Sequence, residues 1–550
     1  MSERDLTVRA DLPPEVAPAV QEAITDAREQ RVADRLADGD PTLWGPPGTP
    51  EIADRLGWLT ISRRMLDELD AIERFTEGLR ADEIRDVVLL GMGGSSLAPE
   101  VLRRAFPSAP GHPVLHVLDS TDAATVAAVG AAVEPQRTLF FVSSKSGGTI
   151  EPLSLYAHFH ELVADGANFA AITDPGSGLA DIAEREGFRA TFHGDPDIGG
   201  RYSALSPFGI VPGTVMGIDT RGLLDGAEGA WQRGVQTGGG EDDAELPAAV
   251  WLGAALAAMV RGGRDKLTFV TPGTLPGLGL WLEQLVAEST GKHGTGILPV
   301  AEEPLGGPGD YGPDRVFAHL PDLDAPDEAT AARMRELAAA GHPVITIPTR
   351  GPRDLGRVFM FAELAVAVAG WGLAINPFDQ PNVQQAKDAT ARVLDGYREN
   401  RTLPEVEQAG PERLRELLLD ARPPHYLALM GYLAPTPQFD AAVAELRGAV
   451  RAATRLTTTF GYGPRFLHST GQFHKGGPPT GRFLQILHDG PIDVPIPGQP
   501  YGFTTLKEAQ AIGDLQTLRE LGLPAERVRL QGENPVSALR ALTASIREWT

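Results

Sequence analysis

The stretch DVVLLGMGGSSLAPEVLRR, Asp86 to Arg104, decides the fold. An apolar run ends in glycine, and three glycines and two serines lie within Gly91–Ser96. A helix-like segment, APEVLRRAF, follows. A buried strand turning sharply into a helix is the repeating unit of a parallel α/β sheet, whose ligand sites lie at the C-terminal ends of the strands. The alternation continues through PVLHVLDS, DAATVAAVGAAV, TLFFVSSKSGGT, EPLSLYAHFHELVADG, NFAAITDPGS and GLADIAEREG.

Working outward, a second cycle is predicted beyond the Gly/Asp/Glu-rich stretch Gln236–Pro247, itself predicted to be a surface loop. It comprises AAVWLGAALAAMVRGG, KLTFVTP, GLWLEQLVAES, GILPVAEEP, PVITIP and DLGRVFMFAELAVAVAGWGL. A third block carries HYLALMGYL, FDAAVAELRGAVRAATR, FLQILH, TTLKEAQAIGDLQTLRELG and RVRLQ. The predicted fold class is therefore α/β, with parallel three-layer αβα sandwiches. The predicted division is a helical segment over residues 1–80, main domains over 81–235 and 245–400, and a smaller C-terminal α/β block over 424–550.

Composition bounds the function. At 550 residues the chain exceeds one ordinary core. Its 73 acidic against 49 basic side chains, a formal net charge of -24, repel nucleic acid and anionic membranes as non-specific partners. A locally positive pocket can still take an anionic substrate. With no cysteine, disulfides, thiolate nucleophiles and Cys-ligated metals are excluded. The N-terminus shows no signal-peptide pattern, and the apolar run Leu364–Ile375 is too short to span a bilayer, so a cytoplasmic protein is expected.

Six stretches carry chemistry. Gly91–Ser96 offers free backbone N–H groups at a helix N-terminus, which suits phosphate but equally describes a tight turn. Ser143-Ser144-Lys145-Ser146-Gly147-Gly148-Thr149 repeats that chemistry with hydroxyls and a lysine at a neighbouring strand end. Two such loops on one sheet favour phosphate recognition. In Asp197–Ser203 a single Arg201 sits among glycines, which by itself reads as a surface loop. Trp281–Lys292 reads as an amphipathic helix with Glu288 in its last turn, where the dipole tends to raise a carboxylate's pKa as a general base requires, although by itself the position favours an exposed glutamate that tolerates a small penalty. Glu283, a turn earlier, is expected to be solvated. Asn376–Asp388 is a loop entering a helix and carries Lys387, one of few lysines. Phe466–Gly490 holds His468, His474 and His488 without metal-ligand spacing or an adjacent acidic ligand, so no metal site is predicted.

Together GMGGSS, SSKSGGT, IGGRYS, VAESTGK, NPFDQPNVQQAK and LHSTGQFHKGG resemble the phosphoglucose isomerase family, built from sugar-isomerase domains. The likeness is greatest to the isomerase half of bacterial fused transaldolase/glucose-6-phosphate isomerase proteins. The first 80 residues are too short for a transaldolase barrel, so that activity is not expected. The resemblance implies interconversion of glucose 6-phosphate and fructose 6-phosphate in glycolysis and gluconeogenesis, with a small sugar phosphate as partner and no cofactor. It implies a phosphate loop of Ser144, Lys145, Ser146 and Thr149, and a substrate loop of Gly93, Gly94 and Ser95. Arg201 then stabilises the enediolate, Glu288 is the base, Lys387 serves the ring oxygen and Gln380 lies nearby. The ring-opening histidine is displaced in order: it usually precedes the Phe-Asp-Gln motif, whereas here the Gly-Gln context follows Lys387. His468 is therefore the expected functional histidine, with His474 in reserve.

Two other readings share these motifs. One is a dual glucose/mannose-6-phosphate isomerase; the other is a sugar-phosphate-binding regulator without catalysis, which has no use for the base. Family members are commonly dimers with the histidine donated across the interface, and the displaced segment leaves both homodimer and monomer open.

Overall fold

The computed structural model describes residues 7–235, 246–490 and 492–549, so most of the loop expected at Gln236–Pro247 lies outside the described residues. A short strand β1 (Arg9–Asp11) opens the chain. Five strands then form one all-parallel sheet, β2 (Asp86–Gly91), β3 (Val114–Leu118), β4 (Thr138–Ser143), β5 (Phe169–Thr173) and β6 (Ala190–His193), in the order β3-β2-β4-β5-β6. β2 and β4 are buried almost end to end. Covering both faces removes the need for polar alternation, which is why DVVLLG and TLFFVS read as unbroken apolar runs. The order reverses between β2 and β4, and the loops leaving their C-terminal ends are GMGGSS and SSKSGGT. A crevice at such a reversal point is where an open parallel sheet binds ligands.

The second sheet contains β7 (Lys266–Val270), β8 (Leu298–Val300), β9 (Arg315–His319) and β10 (Val344–Thr346). Its order is β1-β10-β9-β7-β8, with β1 antiparallel at the edge. The third holds β11 (Tyr426–Tyr432), β12 (Thr457–Tyr462), β13 (Gly481–Leu487) and β14 (Ala525–Arg529), in the parallel order β12-β11-β13-β14.

Four of these strands are invisible to pattern reading. β1 is a three-residue polar edge inside a segment expected to be helical. β6 is a short edge strand, ATFH, with no fully buried residue. β9, RVFAH, is wholly buried but begins with an arginine, and that arginine is neutralised inside the protein by Glu303. β12 begins with three threonines, which favour strands through their β-branching but give no apolar signal.

The three sheets are joined through side chains. One face of the first sheet packs its Val88, Phe140 and Val142 against Val393, Leu394, Phe503, Leu506 and Ile512, contributed by helices late in the chain. The Leu355–Gly372 helix is buried along nearly its whole length and packs against the Thr220–Val235 and Ala248–Arg261 helices. With its preceding turn it forms a 22-residue segment, longer than the apolar run alone, with the length and apolarity of a membrane span. Yet 83% of its apolar window is buried inside the protein, as in the core helix of a globular protein. The second and third sheets meet at a buried charge cluster. Arg315 holds Glu303 through two bonds of 2.8 and 3.0 Å, and Arg447 donates to the carbonyls of Ala301, Glu302 and Thr458.

Arg447→Ala would leave those carbonyls and part of the Glu303 charge without a partner in a dry interface. A loss of about 3 kcal/mol or more is expected, read as a lower urea midpoint.

Candidate active site

The helix Leu278–Thr290 forms the spine of the site. It is buried on all sides rather than along one stripe, and so carries Glu283, Gln284 and Glu288 into the interior. Glu283 is therefore not solvated, as its position in the sequence implies: it is buried, and that burial pushes its carboxyl up to about 8. Glu288 sits in the last turn as expected. Burial is the first cause that lifts its carboxyl above the ordinary range, with Arg201 and then His468 pulling it partly back.

Arg201 follows the glycine pair of the IGGRY turn and is 2% exposed, so it is no surface-loop residue. Its guanidinium reaches Glu288 Oε2 at 3.4 Å, Gln380 Oε1 at 3.2 Å and Ser289 Oγ at 3.0 Å. It also donates to the carbonyls of Pro377 and Asp379, both at 2.8 Å. A planar fork with five donors serves these dispersed acceptors where an ammonium could not. Lys292, just beyond the spine helix, reinforces the same loop through Asn376 O (2.8 Å), Asp379 O (2.6 Å) and Asp379 Oδ1 (2.6 Å). Two buried basic side chains thus hold the 376–380 loop beside Glu288.

The GMGGSS loop closes the site from the first sheet. A Cβ on Gly94 would lie 2.0 Å from the Gly200 carbonyl oxygen, so this position requires glycine for backbone to meet backbone. Gly93, at φ 54°, lies against the His468 carbonyl, and Ser95 is buried beside them. In the loop after β4, Ser144 Oγ donates to Thr149 Oγ1 (3.2 Å), and Ser146 is exposed. The amides of the first turn of the Ile150–Val163 helix open onto this loop. Lys145 turns its ammonium to the carboxylate of Asp174 and the carbonyl of Asp195 (3.1 Å).

His468 arrives from the third sheet, in the turn that follows β12. Its carbonyl accepts from Gln284 Nε2 (2.8 Å), and its ring Nε2 lies 2.9 Å from Glu151 Oε1. Burial pushes the Glu151 carboxyl up, but the charge and hydrogen bond of His468 outweigh it, with Lys387 helping, and hold it below the ordinary range. Lys387 is exposed on the Val383–Asn400 helix and acts on Glu151 through its field.

Gly93, Gly94, Arg201, Glu288, Gln380 and His468 therefore converge, with Ser144–Thr149 one turn away through Glu151. His474 does not join them. It is buried between Tyr426, Phe466 and Phe483 with both ring nitrogens unpartnered, and burial lowers its pKa to about 3. Two site residues escape pattern reading. Gln284 is one helical turn before Glu288, a spacing that was available as a signal. Glu151 follows the SSKSGGT loop, where an acid in a first helical turn reads as an ordinary dipole partner.

A profile of the phosphoglucose isomerase family matches residues 59–297, which contain Gly93, Arg201, Gln284 and Glu288. A glucose-6-phosphate isomerase of Rubrobacter xylanophilus is 32% identical over 421 residues, 66% of this chain and 95% of the relative. The chain belongs to the phosphoglucose isomerase family. A second relative of that name, from Carboxydothermus hydrogenoformans, is 28% identical over 63% of this chain and 87% of its own length. Among solved structures, a hypothetical protein of Thermus thermophilus superposes with a TM-score of 0.56 at 25% identity, covering 70% of this chain and 99% of its own. A glucose-6-phosphate isomerase of Chlamydia trachomatis shares the fold, with a TM-score of 0.57 at 18% identity over 68% of this chain and 86% of its own.

Burial, then the neighbouring Arg201, lowers the Lys292 ammonium to about 7 against the pull of Asp379. The unfolded chain keeps that proton up to about pH 10.5, so Lys292 contributes stability that grows as pH rises from about 7 toward 10. Lys292→Met is expected to abolish that rise in thermal midpoint. Freeing the 376–380 loop should also lower kcat/KM by up to about 100-fold in a coupled assay.

Proposed function

We propose that this site interconverts glucose 6-phosphate and fructose 6-phosphate by ring opening followed by proton transfer between C1 and C2. The observation that carries the reading is the pairing of a buried, raised carboxyl, Glu288, with the fixed guanidinium of Arg201 at 3.4 Å. Moving a proton alpha to a carbonyl needs a carboxylate base with appreciable proton affinity and a cation where the enediolate charge develops. A sugar-binding regulator needs neither.

In this reading the hydroxyls of Ser144, Ser146 and Thr149 and the helix amides behind them hold the phosphate. Gly93, Gly94 and Ser95 form the wall along the sugar, with Gln380 opposite. His468, its Nε2 engaged by Glu151, uses Nδ1 to exchange a proton with the ring oxygen or the C1 hydroxyl, and Lys387 supplies charge at the ring oxygen. Glu288 then takes the proton from C2 and returns it to C1, while Arg201 stabilises the enediolate. The chemistry belongs to three units centred on the three sheets, in a cytoplasmic setting.

Glu288→Gln keeps the shape but removes the base. kcat should fall about 10²–10⁴-fold with KM little changed, measured by coupling glucose 6-phosphate formation to its oxidation. The same chain supplies Arg201, Glu288, Glu151 and His468, which favours activity in a monomer over a need for a partner's histidine. Specific activity should stay constant on dilution to low nanomolar protein, with mass measured in parallel. A fall that tracks subunit dissociation would count against it.

A further inference from the structure

The Phe503–Glu520 helix lies outside every motif that points to the chemistry, yet one of its side chains reaches the histidine pair. Gln510 is 2% exposed and donates from Nε2 to Glu151 Oε1 at 2.8 Å, the oxygen that lies 2.9 Å from His468 Nε2. Its other end is fixed: Thr121 Oγ1, fully buried after β3, donates to Gln510 Oε1 at 2.8 Å. The Glu151 carboxylate only accepts, so it requires the amide nitrogen, and the amide oxygen is then left to the Thr121 hydroxyl; the flip otherwise open to a glutamine is closed.

We propose that Gln510 is a positioning residue for ring opening: locked by Thr121, its amide holds the Glu151 carboxylate in the orientation that fixes His468. The inference rests on the isomerase reading of the site. A glutamate's terminal torsion is broad and roughly two-fold, so a carboxylate with a single partner can rotate. With two donors converging on Oε1 its plane is set, and with it the ring it holds. The helix is braced for this work. Lys507, one turn before Gln510, pairs with Asp122 at 2.7 Å, next to Thr121. One turn later, a Cβ on Gly513 would lie 2.7 Å from the Thr390 amide on the helix that carries Lys387. A single helix thus registers the histidine pair against the lysine. The charged groups bearing on the pair are His468 and Lys387 at Glu151, and Glu288, which itself feels His468; Lys507 and Asp514 on the helix are each neutralised, by Asp122 and Lys475.

The test separates ring opening from proton transfer. Interconversion of the α and β anomers of glucose 6-phosphate, followed by exchange NMR, requires ring opening but no proton transfer between carbons. Gln510→Met should slow both anomer exchange and overall turnover about 10-fold. It should leave unchanged the affinity for an open-chain five-carbon sugar-acid phosphate, and should move the acid limb of the kcat/KM profile to higher pH as Glu151 loses a donor. Thr121→Val, which keeps the volume, should shift the same readouts in the same direction and carries the test if Gln510→Met does not fold. Glu288→Gln should lose isomerisation but keep anomer exchange. Wild-type anomer exchange and an unmoved pH profile in a folded Gln510→Met or Thr121→Val protein would overturn the role of Gln510. Failure of the wild-type protein to isomerise at all would instead overturn the reading beneath it.

Discussion

The structure depends on one buried guanidinium. Arg201 is almost wholly withdrawn from water, and a charge so placed is tolerable only when its donors are occupied. Its partners come from the spine helix and the 376–380 loop, so satisfying Arg201 forces the first and second sheets into one relative position. Within the first sheet's own unit, glycine at 94 lets the loop after β2 reach the Gly200 carbonyl just before Arg201. The same charge stands beside Glu288, so the group that assembles the site also offsets part of the burial that raises that carboxyl.

A second polar assembly sits opposite and has a different composition. His468 is held by Glu151, Glu151 by Gln510 and Gln510 by Thr121, so the chain of bonds runs from the third sheet's segment to the first sheet, out to a late helix and back to the first sheet after β3. Inside a low-dielectric interior such a network is strong when complete and costly when broken. The two assemblies meet at Glu288, which feels both Arg201 and His468: one offers a fixed cation and a raised carboxyl, the other an imidazole held by a lowered one.

Much of this was legible in the residues. Apolar runs ending in glycine or serine announced β2 and β4, and the loops after them mark the reversal point of the first sheet. What escaped reading did so for physical reasons. β12 and β9 are held by their neighbours rather than by an apolar pattern, since threonines and a paired arginine carry no hydrophobic signal. Glu283 and Glu151 are acids on helices, and their burial is a property of what packs around those helices. The two histidines of LHSTGQFH are alike as letters. Only the aromatic cage of Tyr426, Phe466 and Phe483 around one, and the carboxylate beside the other, tells them apart.

The place of His468 beyond β12 bears on how the protein is made. During synthesis the glycine loop, Arg201 and Glu288 leave the ribosome first. His468 follows much later, and Gln510 later still, so the nascent chain carries Glu288 long before the histidine that bears on it in the folded protein. Completion of the Phe503–Glu520 helix thus both covers one face of the first sheet and brings Gln510 to the pair of His468 and Glu151.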